Sequence, residues 1–376
     1  MKTLIVDKRG DMFYAALIED GILKEYLTSG GQFGQICGNV YLGRVERVIK
    51  GMGTAFVNVG LSRNVMLSAE DITDRLRPGD EVCVQITKLP GGEKGALATT
   101  DIRLAGRMCV LLPKGGGVGI SKRIEDPEIR ERLRAETMRL KPESMGLILR
   151  TAAAEAETEA LEADIKALTE RWEHISARSK HAIAPCTLWD ESDIAYKAAR
   201  DMCPADADEI LTGDEEVYNR LRELLPELSA VIRPERSEIG LYTRYALTAQ
   251  TEKAKARKVW LKSGGFLIFD RTEAFTVIDV NTGKFSGKND PEQTVFELNR
   301  EAACEIALQL RLRDIGGIIL VDFIDMELSE HRQALVNEMN TLFRKDGGRA
   351  RALDITALGI MEITRKKKHE EPVFME

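Results

Sequence analysis

Apolar and polar positions change their spacing several times along this chain, and each change marks a segment. Leu4-Ile-Val6 and Phe13 to Ile18 flank Arg9-Gly-Asp11, which predicts two strands joined by a turn. From about residue 36 to 98 the texture is β throughout. Val40 to Ile49 alternates over much of its length, and Thr54 to Val59 follows the Gly51-Met-Gly53 turn. Val65-Met-Leu67 and Glu81 to Ile86 come next, the last behind Pro78-Gly79. Short strands at this density predict a small barrel, most simply of the OB type.

Beyond the barrel the periods mix. Met108 to Leu112 reads as a strand, Pro113 to Gly119 as a glycine-rich connector, Asp126 to Arg139 as a charged helix and Gly146 to Arg150 as a strand. Gly115-Gly-Gly117 lacks the Gly-Lys-Ser/Thr ending of a phosphate loop and reads as a plain flexible loop. Ala152 to Arg178 predicts a helix with a solvated acidic face, and about 184 to 250 alternates strand and helix candidates around turns. From about 254 the pattern becomes α/β. Phe266 to Phe269 and Phe275 to Val280 are adjacent strands joined at Asp270-Arg-Thr-Glu273. Asp290-Pro-Glu-Gln293 is a helix start, with an Asp cap, Pro in the first turn and Gln293 as capping-box partner. Helical spacing of Phe296, Ala303, Ala307 and Leu310 runs to Leu312, with Gly316-Gly317 as the stop. Ile318 to Asp322 then reads as a fully buried strand, and Ser329 to Arg344 as a second helix ending before Asp346-Gly-Gly348. No internal repeat is evident.

At 376 residues the chain has room for two or three domains. The net charge of −7 excludes a protein that coats nucleic acid by bulk charge, while local basic patches remain open. No apolar stretch approaches a membrane span, and the opening Met1 to Asp7 is too short an apolar run for a secretory signal, so the cytoplasm is the expected location. The six cysteines form no Cys-x-x-Cys pair and read mostly as reduced core residues, and the four histidines show no zinc spacing.

The chemistry concentrates in two apolar runs that each end in a carboxylate: Ala274 to Gly283 with Asp279, and Gly316 to Asp325 with Asp322. A helix lies between them. In a strand–helix–strand crossover the strands are parallel, so both C-terminal ends share one edge of the sheet, where ligands of open α/β sheets bind. Asn281, two residues past Asp279, points the same way in an extended segment. Two carboxylates and an amide make a hard oxygen site suited to Mg2+, hence a metal-dependent phosphodiesterase. The plainer alternative makes Asp279 to Gly283 a turn only. Asp325 either caps the following helix or supports the metal from outside its coordination shell.

At this point the sequence resembles the bacterial ribonuclease E/G family, from about residue 1 to 365. The resemblance is strongest over Ile278-Asp-Val-Asn-Thr-Gly283, Asn299-Arg-Glu-Ala-Ala303, Ile306 to Gly317 and Val321-Asp-Phe-Ile-Asp-Met326. It implies an RNase H-like fold interrupted by an OB-type barrel and a 5′-sensor region, followed by a DNase I-like catalytic domain. The expected limits are 1–35 and 184–253 for the RNase H-like parts, 36–98 for the barrel, 99–183 for the sensor and 254–376 for the catalytic domain. The implied activity is Mg2+-dependent endonucleolytic cleavage of single-stranded, AU-rich RNA to 5′-phosphate and 3′-hydroxyl ends, stimulated by a substrate 5′-monophosphate, in RNA processing and decay. Mn2+ is the alternative metal.

By the same resemblance Asp279 and Asp322 match metal-binding aspartates and Asn281 the amide that positions them. Phe56 matches an RNA-stacking residue, though on its own it reads equally as strand core. Met66 stands at the second aromatic position, which weakens stacking. Lys88 and Lys94 match RNA-contacting lysines. Arg150 and Thr151 match the 5′-phosphate sensor, a guanidinium fork plus a hydroxyl. Gly106 and Val110 match backbone contributors, Lys122 stands where some relatives carry arginine, and Arg351 matches a further support. No cysteine lies past 304, so the zinc link of many relatives is not expected, and a homo-oligomer would be held by other contacts. The sequence resembles the short G-type members more than the larger ones. Two other readings compete: a non-catalytic RNA-binding or ribosome-assembly protein on the same scaffold, and a phosphodiesterase on small nucleotides. The three polar residues at the metal position argue against the first, and the barrel against the second.

Overall fold

The computed structural model describes all residues except 11, 29–35, 50, 52, 68, 72–75, 89–94, 192, 205, 238, 285–289, 346–348, 357 and 368–376. Four sheets organise the described residues. The first is an antiparallel meander of β1 (Lys2–Arg9), β2 (Met12–Glu19) and β3 (Ile22–Thr28). Two strands from far along the chain, β14 (Glu209–Thr212) and β15 (Ile232–Pro234), extend it in parallel beyond β1; α4 (Glu215–Leu224) lies between them in sequence, and α5 (Leu241–Arg244) and α6 (Leu247–Lys255) follow. The third strand of the meander did not register as a period in the sequence.

The second sheet is the barrel. β4 (Val40–Ile49), β5 (Thr54–Asn58), β6 (Val65–Leu67), β8 (Leu97–Thr99) and β7 (Glu81–Lys88) pair in that order, and β7 returns to β4 to close it. Val45, Ala55, Val57, Val65, Leu67, Val84 and Ile86 fill the interior. β13 (Cys186–Trp189) adds to β4 from outside. A third sheet runs β11 (Val118–Ile120), β12 (Gly146–Leu149), β10 (Cys109–Leu112) and β9 (Leu104–Ala105), covered by α1 (Pro127–Leu140) and α2 (Thr158–Ser179). Asp126 caps α1 by accepting from the N–H groups of Glu128 and Ile129. The helix expected from Ala152 starts only at Thr158, because Thr151–Glu155 winds into a tight 3-10 turn. The glycine-rich connector is not wholly a loop, since its end enters β11.

The fourth sheet runs β16 (Lys258–Trp260), β17 (Phe266–Arg271), β18 (Phe275–Asn281), β19 (Gly317–Asp322), β21 (Ile360–Arg365) and β20 (Ala350–Ile355). Only β18 and β19 pair in parallel, and α7 (Pro291–Leu312) joins them. α7 and α8 (Ser329–Lys345) pack on one face, where Ile278, Val280, Ile319 and Val321 meet Leu298, Ala302, Ile306, Leu335 and Met339. The intervening residues face away from both helices. β19 is therefore not fully buried as its apolar run suggested: Ile318 is 46% exposed and Asp322 is exposed. The Asp290 cap forms, but Gln293 donates to Glu297 instead of returning to the cap. α7 ends ahead of its glycines, with Asp314 taking the left-handed φ of 45° and the Ile315 N–H bonding back to the Leu310 carbonyl.

Candidate active site

Parallel pairing sets Asp279 directly beside Asp322, as Cα partners at the C-terminal ends of β18 and β19. Neighbouring strands are about 4.8 Å apart, so two carboxylates leave the same open face of the sheet side by side. The aspartates occupy this face as well as the strand ends, because the opposite face is filled by α7 and α8. Asn281 is also in β18, and its Nδ2 donates to Asp279 Oδ2 at 2.8 Å. The plain-turn reading of Asp279 to Asn281 is thereby set aside, since the turn begins after Asn281. Burial first, then the charges of Asp279 and Asp325, push the Asp322 carboxyl above its ordinary pKa.

The segment after β19 is tied down from α7. Asn299, fully buried, donates to the Ile324 carbonyl at 2.8 Å and accepts from the Ile324 N–H at 3.1 Å. Glu292 accepts from the N–H groups of Glu327 and Leu328 at 3.0 and 3.1 Å and meets His331 Nδ1 at 2.9 Å. Those two backbone bonds hold the Glu292 carboxyl below its usual pKa. Asp325 caps no helix: α8 starts at Ser329. Asp325 instead lines a cavity of about 470 Å3 with Arg332 and Thr356. Asn299 and Glu292 were not singled out in the sequence. The available signal was an amide on the apolar stripe of α7, where a buried polar group needs a partner.

The donor set fits a hard divalent cation. The carboxylate oxygens of Asp279 and Asp322 are hard donors, and the neighbouring negative charges of Asp279 and Asp325 would make a cation welcome there. Among the described residues no three His, Cys, Asp or Glu side chains gather into a metal-holding group.

The barrel presents a second surface. Cross-strand pairing places Arg47 opposite Phe56, Phe56 opposite Met66, Met66 opposite Leu97 and Leu97 opposite Lys88. None of the five is buried, so Phe56 belongs to the outer face and not to the core. Lys94 lies outside the described residues.

The third sheet gathers most of the sensor candidates. Arg150 Nη1 donates to the Gly106 carbonyl at 2.5 Å and Nη2 to Asp201 Oδ1 at 2.6 Å. A Cβ on Gly106 would come within 2.4 Å of Asp164 Oδ1, so any larger residue would have to push that carboxylate aside. Asp164 also accepts from the N–H groups of Arg107, Met108 and Cys109, which pins this loop. Val110 is half-buried and pairs with Ile148. Thr151 is exposed at the start of the 3-10 turn after β12, and Lys122 is exposed in the turn after β11. Asp201 is shared with Arg200, in α3 (Ile194–Met202). Burial would raise its pKa, but Arg200 and then Arg150 hold it below the ordinary value. Arg351 does not join this group by register. It stands exposed on β20, the edge of the fourth sheet, opposite Thr364.

Cys109 and Cys203 are buried in the cores and Cys83 and Cys186 pack half-buried against one, as expected of most of the cysteines, while Cys37 and Cys304 are exposed. No described helix is long and apolar enough to cross a membrane.

Comparison with known proteins gives one consistent result. A family model described as the Ribonuclease E/G family matches residues 103–368. Ribonuclease G of Escherichia coli K12 is 36% identical over 94% of this chain and 78% of its own length. Ribonuclease G of Haemophilus influenzae is 35% identical over 94% of this chain and 77% of its own. Ribonuclease E of a Nostoc species is 37% identical over 94% of this chain, which spans 54% of that longer protein.

Proposed function

Since this chain belongs to the ribonuclease E/G family, we propose that it is a metal-dependent endoribonuclease of RNA processing and decay, cutting single-stranded RNA to 5′-phosphate and 3′-hydroxyl ends. The observation that carries this reading is the in-register pair Asp279 and Asp322 with Asn281 bonded to the first of them. Asp279 and Asp322 would hold Mg2+, or Mn2+ in its place. When bound, the ion supplies a water acidic enough to attack at neutral pH and stabilises charge on the phosphate oxygens. Asn281 fixes the Asp279 carboxylate by donating to one of its oxygens. The Asn299 clamp and the Glu292 bonds keep the chain after Asp322 from shifting under substrate.

In this reading the barrel row from Arg47 to Lys88 receives the RNA strand, with Phe56 stacking a base and Met66 offering a weaker surface beside it. Arg150, Thr151 and Lys122 receive a 5′-monophosphate, with Gly106 and Val110 contributing backbone. The domain plan is an RNase H-like fold (1–35 and 184–253) interrupted by an OB-type barrel and a sensor, then a DNase I-like domain from 254. The closed barrel and the two-layer fourth sheet support that plan.

The test is cleavage of one short single-stranded RNA, carrying a 5′-monophosphate or a 5′-hydroxyl, by the wild type and by Asp322→Asn in Mg2+. Metal-dependent cutting lost in the variant, with RNA binding kept, is the expected result. Binding without cleavage by the wild type across metals and pH would turn the assignment to a non-catalytic RNA-binding protein.

A further inference from the structure

The strand that leads into the candidate active-site sheet, β16, ends in Trp260, which is 52% exposed, while Trp172 and Trp189 are partly buried. An indole left this open at a sheet edge calls for a reason. Its neighbours supply one. Trp260 pairs with Phe266, and Phe266 pairs with Asn281, so one cross-strand row runs from the indole to the amide that orients Asp279. The next row runs Lys258, Ile268, Asp279, Asp322. The rings of Trp260 and Phe266 meet edge-on, with centroids 5.2 Å apart. Lys258 Nζ lies 4.0 Å from the Trp260 centroid and 3.6 Å from that of Phe266. At about 4.8 Å per strand, the indole is about 10 Å from Asn281, within reach of a nucleotide flanking the reacting phosphate.

The platform is held rigidly. Glu301 Oε1, on α7, accepts from the N–H groups of Lys262 and Ser263 at 2.7 and 3.2 Å, fixing the turn between Trp260 and Phe266. The Leu261 N–H bonds the Gly265 carbonyl at 2.8 Å. A Cβ on Gly265 would lie 2.9 Å from the Asn281 carbonyl oxygen, so this turn is pressed directly onto β18. An aromatic face, a cation at its side and a fixed backbone are what sequence-tolerant recognition of a single strand requires.

We propose that Trp260, with Phe266 and Lys258, forms a base-stacking subsite for a nucleotide flanking the scissile phosphate, binding single-stranded RNA beside Asp279, Asn281 and Asp322. This rests on the RNA-cleaving reading above and adds a contact on the catalytic sheet itself, separate from the barrel. The base stacks on the open indole face, and Lys258 pairs with the adjoining phosphate.

The experiment compares wild type, Trp260→Ala and Trp260→Phe on a short single-stranded 5′-monophosphorylated RNA with one cleavage site. The same RNA is then made with an abasic sugar at each position around that site in turn. Trp260→Ala should raise KM about five- to a hundredfold, and Trp260→Phe should recover most of the loss. At one flanking position the abasic RNA should weaken wild type by a similar factor and Trp260→Ala no further, which ties the indole to that base. Unchanged KM in Trp260→Ala, or an abasic penalty that is the same in both proteins at every position, overturns the subsite. So does a loss confined to the oligomeric state by sedimentation, which would make the indole a contact between copies of this chain. Anisotropy of the fluorescein-labelled RNA in EDTA reads the same contact without chemistry. A wild type that binds but never cuts would sink the nuclease reading, while the Trp260→Ala binding ratio still decides the subsite.

Discussion

Gly283 closes the turn after β18 with a φ of +57°, and a Cβ there would lie 2.4 Å from the Gly264 carbonyl oxygen. No side chain fits without moving the end of the strand that holds Asn281. Gly283→Ala should therefore lower kcat on the order of a hundredfold, as misplacements of about 1 Å do. RNA affinity at the barrel should stay within about twofold of wild type, a sign of undisturbed contacts. Cleavage and anisotropy measured side by side check both halves. A second residue-scale prediction concerns Asp201, which bonds the Arg150 guanidinium proposed above to receive a 5′-phosphate. Asp201→Asn replaces a charged acceptor by a neutral one and should strengthen the preference for 5′-monophosphate over 5′-hydroxyl RNA about fivefold, from about 1 kcal/mol of weaker competition. The same carboxylate has a folded pKa below its unfolded value. Its stabilising contribution is therefore present above the ordinary Asp range, near pH 4, and is lost as pH falls through the folded pKa. Melting temperature recorded against pH should drop less steeply below about pH 4 in Asp201→Asn than in wild type. At this scale Asp279 and Asp322 were legible because each ends its own apolar run, and Asn281 because it lies two residues past Asp279 in the same strand. Asn299, Glu301 and Glu292 were not, because their partners lie 25 to 39 residues away.

Between elements, the contact that best explains how the fourth sheet stays flush with α7 is a buried ion pair. Arg365 on β21 donates to Asp314 Oδ1 and to the Ile315 carbonyl, both at 2.8 Å, and the two side chains are 1% and 6% exposed. Arg365→Ala takes the guanidinium away from the buried Asp314 carboxylate and should cost about 3–5 kcal/mol of stability. Urea unfolding measures it, and the double replacement Arg365→Met with Asp314→Leu should recover most of the loss, since no charge is then left unpaired. The sequence led to this sheet only partly. Helix starts were readable at Asp126-Pro127 and Asp290-Pro291 because capping is local chemistry. β16, β20 and β21 went unread because each is three to six residues long and interleaved with Lys, Arg, Asp or Glu, which blurs the alternation. The same blindness concealed Trp260: without β16 there is no row that connects it to Asn281.

For the whole molecule, the assembly of the first sheet from residues 2–28 and 209–234 lies beyond any local pattern, since parallel pairing of β1 with β14 carries no turn signal. The barrel was legible because its strands follow one another and close over a short span. Its outer row gives the last prediction. If single-stranded RNA runs along Arg47, Phe56, Met66, Leu97 and Lys88, the row contains two kinds of contact with different salt behaviour. A cation that neutralises one phosphate contributes about 0.7 to the slope of log K against log salt on a single strand, whereas stacking contributes none. Arg47→Ala and Lys88→Ala should each flatten that slope by about 0.7. Phe56→Ala should lower affinity about five- to a hundredfold at every salt concentration while leaving the slope as it was. Fluorescence anisotropy of one labelled RNA over a salt series distinguishes them. Parallel slopes for all three variants would mean that the basic ends of the row face solvent instead of the RNA backbone. The strand would then have to reach Asp279 and Asp322 by a path that leaves this face of the barrel aside.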